Sequence, residues 1–173
     1  MLRSAKSLLN IPIISLYNSL KVGNLRDFIV DPEAGKIIGI LVLKEAANGN
    51  SLVLSTIDIR EMSDQAIIVD SEEVLVLQTD IVRIDSVLKT KIEIFNNKVF
   101  TESGKNLGRV QDYLIDDLFF IAKLYVKPAL FNIMETEVII PREAIVKVTK
   151  EKIIVSASSL KKIENLEPVR ATQ

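Results

Sequence analysis

The sequence predicts a mainly β protein: two small β-barrels in tandem, joined by a short helical linker. Three observations predict it. First, one stretch occurs twice, as V-G-N-L-R-D-F-I-V-D-P-E-A-G-K-I-I-G-I-L-V over residues 22–42 and L-G-R-V-Q-D-Y-L-I-D-D-L-F-F-I-A-K-L-Y-V over residues 107–126. With Gly23 set on Gly108, Asp27 falls on Asp112, Phe28 on Tyr113 and Asp31 on Asp116. Each copy reads as a strand, a tight turn and a returning strand. Second, short β-branched runs alternate with turn signals along the chain, the spacing of a small sheet closed on itself. Third, the similarity continues beyond the hairpin. Residues 67–69 (I-I-V) align with 153–155 (I-I-V) at an offset of 86, against 85 for the opening hairpin.

The elements follow in order. Residues 1–9 read as a loose helical turn or an arm, and residues 11–16 as the first strand. Residues 17–21 form a polar turn, and residues 25–30 the second strand. In D-P-E-A-G, Pro32 pre-sets φ for the second turn position and Gly35 supplies the left-handed conformation; residues 37–43 return. N-G-N marks a loop at 46–50. Residues 51–55 are a strand, 56–58 a helical turn, and 59–62 with 66–69 a hairpin around residues 63–65. Residues 71–91 connect the halves. Within them 73–78 are apolar enough for a strand. Ile81, Ile84, Val87 and Leu88 fall at helical spacing, with Thr79 or Asp80 as the cap. In the second half, residues 92–95 and 98–101 surround Asn96-Asn97. Residues 102–105 are a turn with Gly104 available for positive φ. Strands follow at 110–115, 121–126 and 137–140, then a helical turn at 141–144 and a closing hairpin over 145–148 and 152–156. Residues 159–166 read as a terminal helix. The expected domains are a first barrel at 8–78, a helical linker at 79–91, a second barrel at 92–156, and a helix and tail at 157–173.

Composition narrows the chemistry. The chain has 173 residues, 48% of them hydrophobic, enough for a real core. It contains neither cysteine nor histidine. Disulfides, thiolate or imidazole metal sites, the common nucleophile–base pairs and histidine general bases are therefore excluded. Catalytic residues, metal ligands and cofactors are expected to be absent. The net charge of −1 carries no excess for nucleic acid over the whole chain, and no DNA partner is expected. The halves differ, however: residues 1–86 sum to −4 and residues 87–173 to +3. No segment reaches the roughly 18 uninterrupted apolar residues of a membrane helix, and the N-terminal apolar run is too short for a secretory signal. A cytoplasmic location without membrane insertion is expected.

Through the repeated G-x-(V/L)-x-D-(F/Y) segment with its following aspartate, and the later P-R-E-A-I-V, the chain resembles the PRC-barrel family. That family includes the cytoplasmic domain of the photosynthetic reaction-centre H subunit and the C-terminal domain of a maturation factor for the small ribosomal subunit. The resemblance covers residues 8–70 and 92–156. It implies a small, mostly antiparallel barrel in each half and a docking role, with no shared catalytic residues to carry over. The reaction-centre membrane helix and the ribosome factor's separate N-terminal domain are absent from this sequence, so neither specific role transfers.

Three constellations stand out. Asp27, Asp31, Asp112, Asp116 and Asp117 form an acidic pattern. Positions i and i+4 on a strand lie about 13 Å apart, too far for one metal ion, so the pattern reads as turn-stabilising. Lys147, Lys150, Lys152, Lys161 and Lys162 gather near the end without interleaved aromatics, which removes the stacking platform of a single-strand binder. They read as solvated edge lysines. The third is L-F-F-I at 118–121, where the second copy places apolar residues at a hairpin tip that is polar in the first. Together with Leu130 and Phe131 in the nearby segment 129–134, Phe119 and Phe120 are the candidate interface for a protein partner or self-association. The cover for the two phenylalanines is the other barrel, a second copy or a different protein. Burying each contributes on the order of 1.5–3 kcal/mol. The expected function is a non-catalytic protein-interaction or assembly module. The alternative is an RNA- or ribosome-associated maturation factor, and the third reading is a carboxylate-based hydrolase.

Overall fold

The computed structural model describes residues 1–44, 52–128 and 137–158. The loop at 46–50, the segment 129–134 and the terminal helix at 159–166 fall outside the described residues. Strand β1 (Arg3–Ser4) and a single turn α1 (Ala5–Leu8) open the chain. The first sheet follows: β2 (Pro12–Ser15), β3 (Lys21–Asp31), β4 (Lys36–Leu43), β5 (Leu52–Ser55), β6 (Ile59–Met62), β7 (Ile67–Val69) and β8 (Val76–Leu77). Helix α2 (Val82–Lys89) connects to β9 (Lys98–Thr101), β10 (Asn106–Ile115), β11 (Ile121–Lys127), β12 (Val138–Pro141), β13 (Ile145–Val148) and β14 (Lys152–Val155).

The two sheets have the same strand order, β6-β7-β2-β3-β4-β5 and β13-β14-β9-β10-β11-β12, with β8 added to the first and β1 to the second. In each, the first long hairpin is antiparallel, while the opening strand pairs in parallel with a later one, β2 with β7 and β9 with β14. A 3-10 turn links the two outermost strands, Thr56–Asp58 in the first sheet and Arg142–Ala144 in the second. The protein is therefore mainly β and two-lobed, as expected from the repeat.

Pairing explains why the repeat offset drifts. Ser15 N–H donates to the Leu20 carbonyl across the first turn, and Thr101 N–H to that of Lys105 across its counterpart. The first turn is one residue longer, which turns an offset of 86 at β2 and β9 into 85 at β3 and β10. Asn10 and Asn96 occupy matching left-handed positions before the opening strands, at φ 69° and 61°.

Several local expectations need correction. Residues 92–95 are not a strand. Asn96 turns the chain at positive φ, and Asn97 is buried, its amide donating to the carbonyls of Glu93 and Thr149, each at 2.9 Å. The backbone there wraps onto the last hairpin instead of forming its own. Residues 73–78 are mostly not strand either: 3-10 turns at Glu72–Val74 and Gln78–Asp80 leave only β8. Helix α2 is capped by neither Thr79 nor Asp80. Ile81 is its N-cap, because the Asp80 carboxylate turns back to accept from Leu77 N–H at 3.1 Å. The apolar face of α2 is as expected, with Ile84 buried against Ile29 and Val53 on the outer face of the first sheet.

The N-terminal arm crosses to the other lobe. Arg3 and Ser4 pair antiparallel with Ile115 and Leu114 of β10. The Ser4 hydroxyl caps α1 by accepting from Ser7 N–H, and Ala5 and Leu8 are buried in the core. That core is one continuous cluster. It runs from Leu8, Ile13 and Ile67 in the first lobe, through Phe28 and Tyr113, to Val99, Val126 and Ile153 in the second.

Candidate functional site

The repeated aspartates occupy repeated bulges. The β3–β4 register shifts between Leu25 and Asp27, and the β10–β11 register shifts between Val110 and Asp112, the equivalent positions. At a bulge one N–H loses its ladder partner. Asp27 supplies a substitute by accepting from Phe28 N–H at 2.8 Å, and Asp112 does the same for Tyr113 N–H at 2.8 Å. Asp112 also accepts from the Ser4 hydroxyl at 2.5 Å and from Lys6 N–H at 3.0 Å, which fastens the arm.

Burial raises the Asp27 carboxyl above its ordinary value, and nearby Glu93 raises it further. The Phe28 N–H and Arg26 oppose this without cancelling it. A carboxyl with a raised folded pKa contributes stability below the unfolded value, and that contribution is lost as pH rises through the folded one. Asp27→Asn, which keeps an acceptor for Phe28, should therefore be more stable than the parent at neutral pH. The gain should vanish below about pH 4. Thermal unfolding across pH checks this; a gain that persists in acid would rule out titration as its cause.

The turn aspartates are similarly engaged. Asp31 accepts from Glu33 N–H at 3.1 Å and pairs with Arg83 of α2. Burial alone would raise its pKa, but the Arg83 guanidinium and the turn N–H groups bring it below the usual value. Asp116 accepts from Leu118 N–H at 2.9 Å and Phe120 N–H at 2.8 Å. Asp117 receives Arg3 at 2.7 Å. The acidic pattern thus closes turns and ties down the arm and the linker helix.

Phe119 and Phe120 lie where the two lobes meet. Phe119 takes a left-handed conformation at φ 63°, the counterpart of Gly35 at φ 61°. The two hairpin tips then pair with approximate two-fold symmetry. Ile37 N–H donates to the Phe119 carbonyl at 2.7 Å, and Ile121 N–H donates to the Gly35 carbonyl at 3.0 Å. Lys36 and Phe120 form the bridge between them. The Phe119 side chain packs against the common core. The Phe120 ring lies under the Arg142 guanidinium at 3.9 Å, with Lys36 at 5.2 Å, and Arg142 donates to the Ala34 carbonyl at 3.1 Å. Phe120 is thus flanked by Arg142 of its own lobe and by Lys36 of the other. Of the apolar residues 118–121 at this tip, Leu118 alone is exposed. Leu130 and Phe131 lie outside the described residues.

Behind the tips, Tyr113 stacks edge-on against Phe28 at 6.2 Å and leans on Phe95 at 4.9 Å. Burial, then the charges of Asp27 and Asp112, pushes its phenol well above the ordinary range. A cleft of about 180 Å³ opens beside the seam, between Pro32–Gly35 of one lobe and Arg142, Ile145 and Lys147 of the other. Among the described residues, no group of three or more acidic side chains is placed to hold a metal ion.

Strand order, matched bulges and the paired tips define a two-lobed barrel protein whose halves share one architecture. In the second half, residues 93–162 match the family model of the PRC-barrel domain. No curated protein matches the chain. The sequence missed the arm's crossing, because two residues of pairing leave no periodic signal. It also missed the tip-to-tip bonds, whose only trace is the phenylalanine standing where the first copy has glycine.

Proposed function

We propose that the chain is a non-catalytic assembly module: two PRC-type barrels locked into one rigid platform that holds a protein partner in the cytoplasm. The observation that carries this reading is the seam. The lobes share a continuous core, exchange backbone bonds at their tips and are strapped by the arm. That construction fixes the outer faces relative to each other, which suits docking. The carboxylates that a hydrolase would need are engaged in bulges and turns. None of the described helices is long and apolar enough to cross a membrane.

The first lobe offers an apolar tip for such a partner. Leu16, Tyr17 and Leu20, at 58%, 86% and 60% exposure, crown the β2–β3 turn. The corresponding turn in the second lobe is Glu102-Ser103-Gly104-Lys105, so the fold itself does not demand apolar residues there. Aromatic and aliphatic residues exposed together mark interfaces. Purified from its host, the chain should come with a protein at stoichiometric level. Leu16→Ser with Tyr17→Ser and Leu20→Ser should release that protein while leaving the far-ultraviolet spectrum unchanged. Turnover of an ester or phosphoester substrate, abolished by Asp27→Asn or Asp112→Asn, would instead establish an enzyme.

A further inference from the structure

The second lobe carries a row of cations that only the register reveals. Lys152 of β14 pairs with Lys98 of β9, Lys98 with Arg109 of β10, and Arg109 with Lys127 of β11. Residues paired in this way point to the same face of the sheet, and neighbouring strands lie about 4.8 Å apart. Four positive side chains therefore stand side by side across four strands, all of them exposed. Among the described residues none of the four forms an ion pair. Arg109 is oriented by donating to the Asn96 carbonyl at 2.8 Å. Lys150 extends the basic surface beyond the row, in a shallow depression that also holds Glu93 and Glu151.

Like charges placed directly opposite one another destabilise a sheet. The first lobe avoids them. Its equivalent row is Pro12, Asn24 and Leu43 in the same register, and Ala66, just before β7, aligns with Lys152 in sequence. The fold thus forms without the cations, and the second lobe keeps them at a cost in stability.

We propose that this row is a docking surface for an acidic segment of a protein partner. This deepens the assembly-module reading and rests on it. Carboxylates three and four positions apart on a helix lie about 5–6 Å from each other, close to the strand spacing, so one acidic helix face can meet successive members of the row. A nucleic acid fits less well. Phe100 on this face is half-buried with Lys152 at 5.7 Å over it, and Tyr125 is half-buried as well, so neither offers an open stacking platform.

The test uses the full chain. A labelled synthetic helix with glutamates at every third and fourth position is titrated, beside an oligouridine of equal charge and a scrambled peptide of the same composition. The glutamate helix should bind best, and added salt should weaken it. Lys98→Gln with Arg109→Gln and Lys127→Gln should weaken binding about tenfold or more. The same variant should melt no lower than the parent at low salt, because the mutual repulsion is relieved. Equal or tighter oligouridine binding that the variant abolishes would overturn the partner class. Absent peptide binding, affinity unchanged in the variant, or a variant that melts well below the parent would overturn the surface. If the variant still recovers the stoichiometric host partner, the assembly-module reading stands and the row is not its contact.

Discussion

Tyr113→Ala should cost about 3–5 kcal/mol, the range for removing a large buried aromatic, and should weaken both lobes together. Tyr113 is 1% exposed. Its ring meets Phe28, which belongs to the first sheet, at an interplanar angle of 70°. It meets Phe95, which leads into the second sheet, at 45°. Such aromatic pairs add about 0.5–1.5 kcal/mol beyond the area they bury. The alanine variant leaves a cavity bounded by elements of both lobes, and neither can collapse into it alone. Tyr113→Phe, which keeps the rings in contact, is the control and should lose far less. Urea denaturation followed by circular dichroism and by tyrosine fluorescence reads the effect. A Tyr113→Ala loss below about 1 kcal/mol would show that the seam contributes little to the core.

Gly108→Ala should be the second severe substitution, at on the order of 3 kcal/mol or more, since it joins backbone strain to a steric clash. Gly108 sits at φ +128°, which side-chain-bearing residues rarely adopt. A Cβ there would come within 1.9 Å of the Lys127 carbonyl oxygen and 2.9 Å of the Pro128 Cα. Both are backbone atoms and no rotamer change can move them, so β10 and β11 must part. Gly35→Ala is the comparison. Its φ of +61° is also left-handed, but a Cβ would meet nothing within 4 Å. It should lose only about 1 kcal/mol, as expected from backbone strain alone. If the two alanines prove equally mild, the close approach of β10 to β11 is not as drawn.

Much of this architecture was legible in the residues, because its causes are local. Asp31-Pro32-Glu33-Ala34-Gly35 specifies its turn chemically. Ile81, Ile84, Val87 and Leu88 specify the face of α2 by spacing alone. The repeat carried the strand order from one half to the other. What was not legible depends on register and on contacts distant in sequence. Asp27 and Asp112 could be seen to repeat, but their task at a bulge follows from pairing with β4 and β11. Lys147, Lys150 and Lys152 drew notice by being close in sequence. Of these, only Lys152 stands in the proposed row, which continues through Lys98, Arg109 and Lys127, separated along the chain and aligned only by the sheet. The contrast with the first copy singles out Phe119 and Phe120, but not that their backbone pairs with the polar tip supplying the contrast. Residues 92–95 looked like a strand because they alternate, and the buried Asn97 amide overrode that pattern.

The claim on which the functional reading rests is that the two lobes form one structural unit. Differential scanning calorimetry of the full chain tests it most directly. A single transition is expected, with equal calorimetric and van't Hoff enthalpies, and Tyr113→Ala should move it as a whole. Two resolved transitions, only one of them shifted by Tyr113→Ala, would contradict the shared core and leave two independent barrels on a linker.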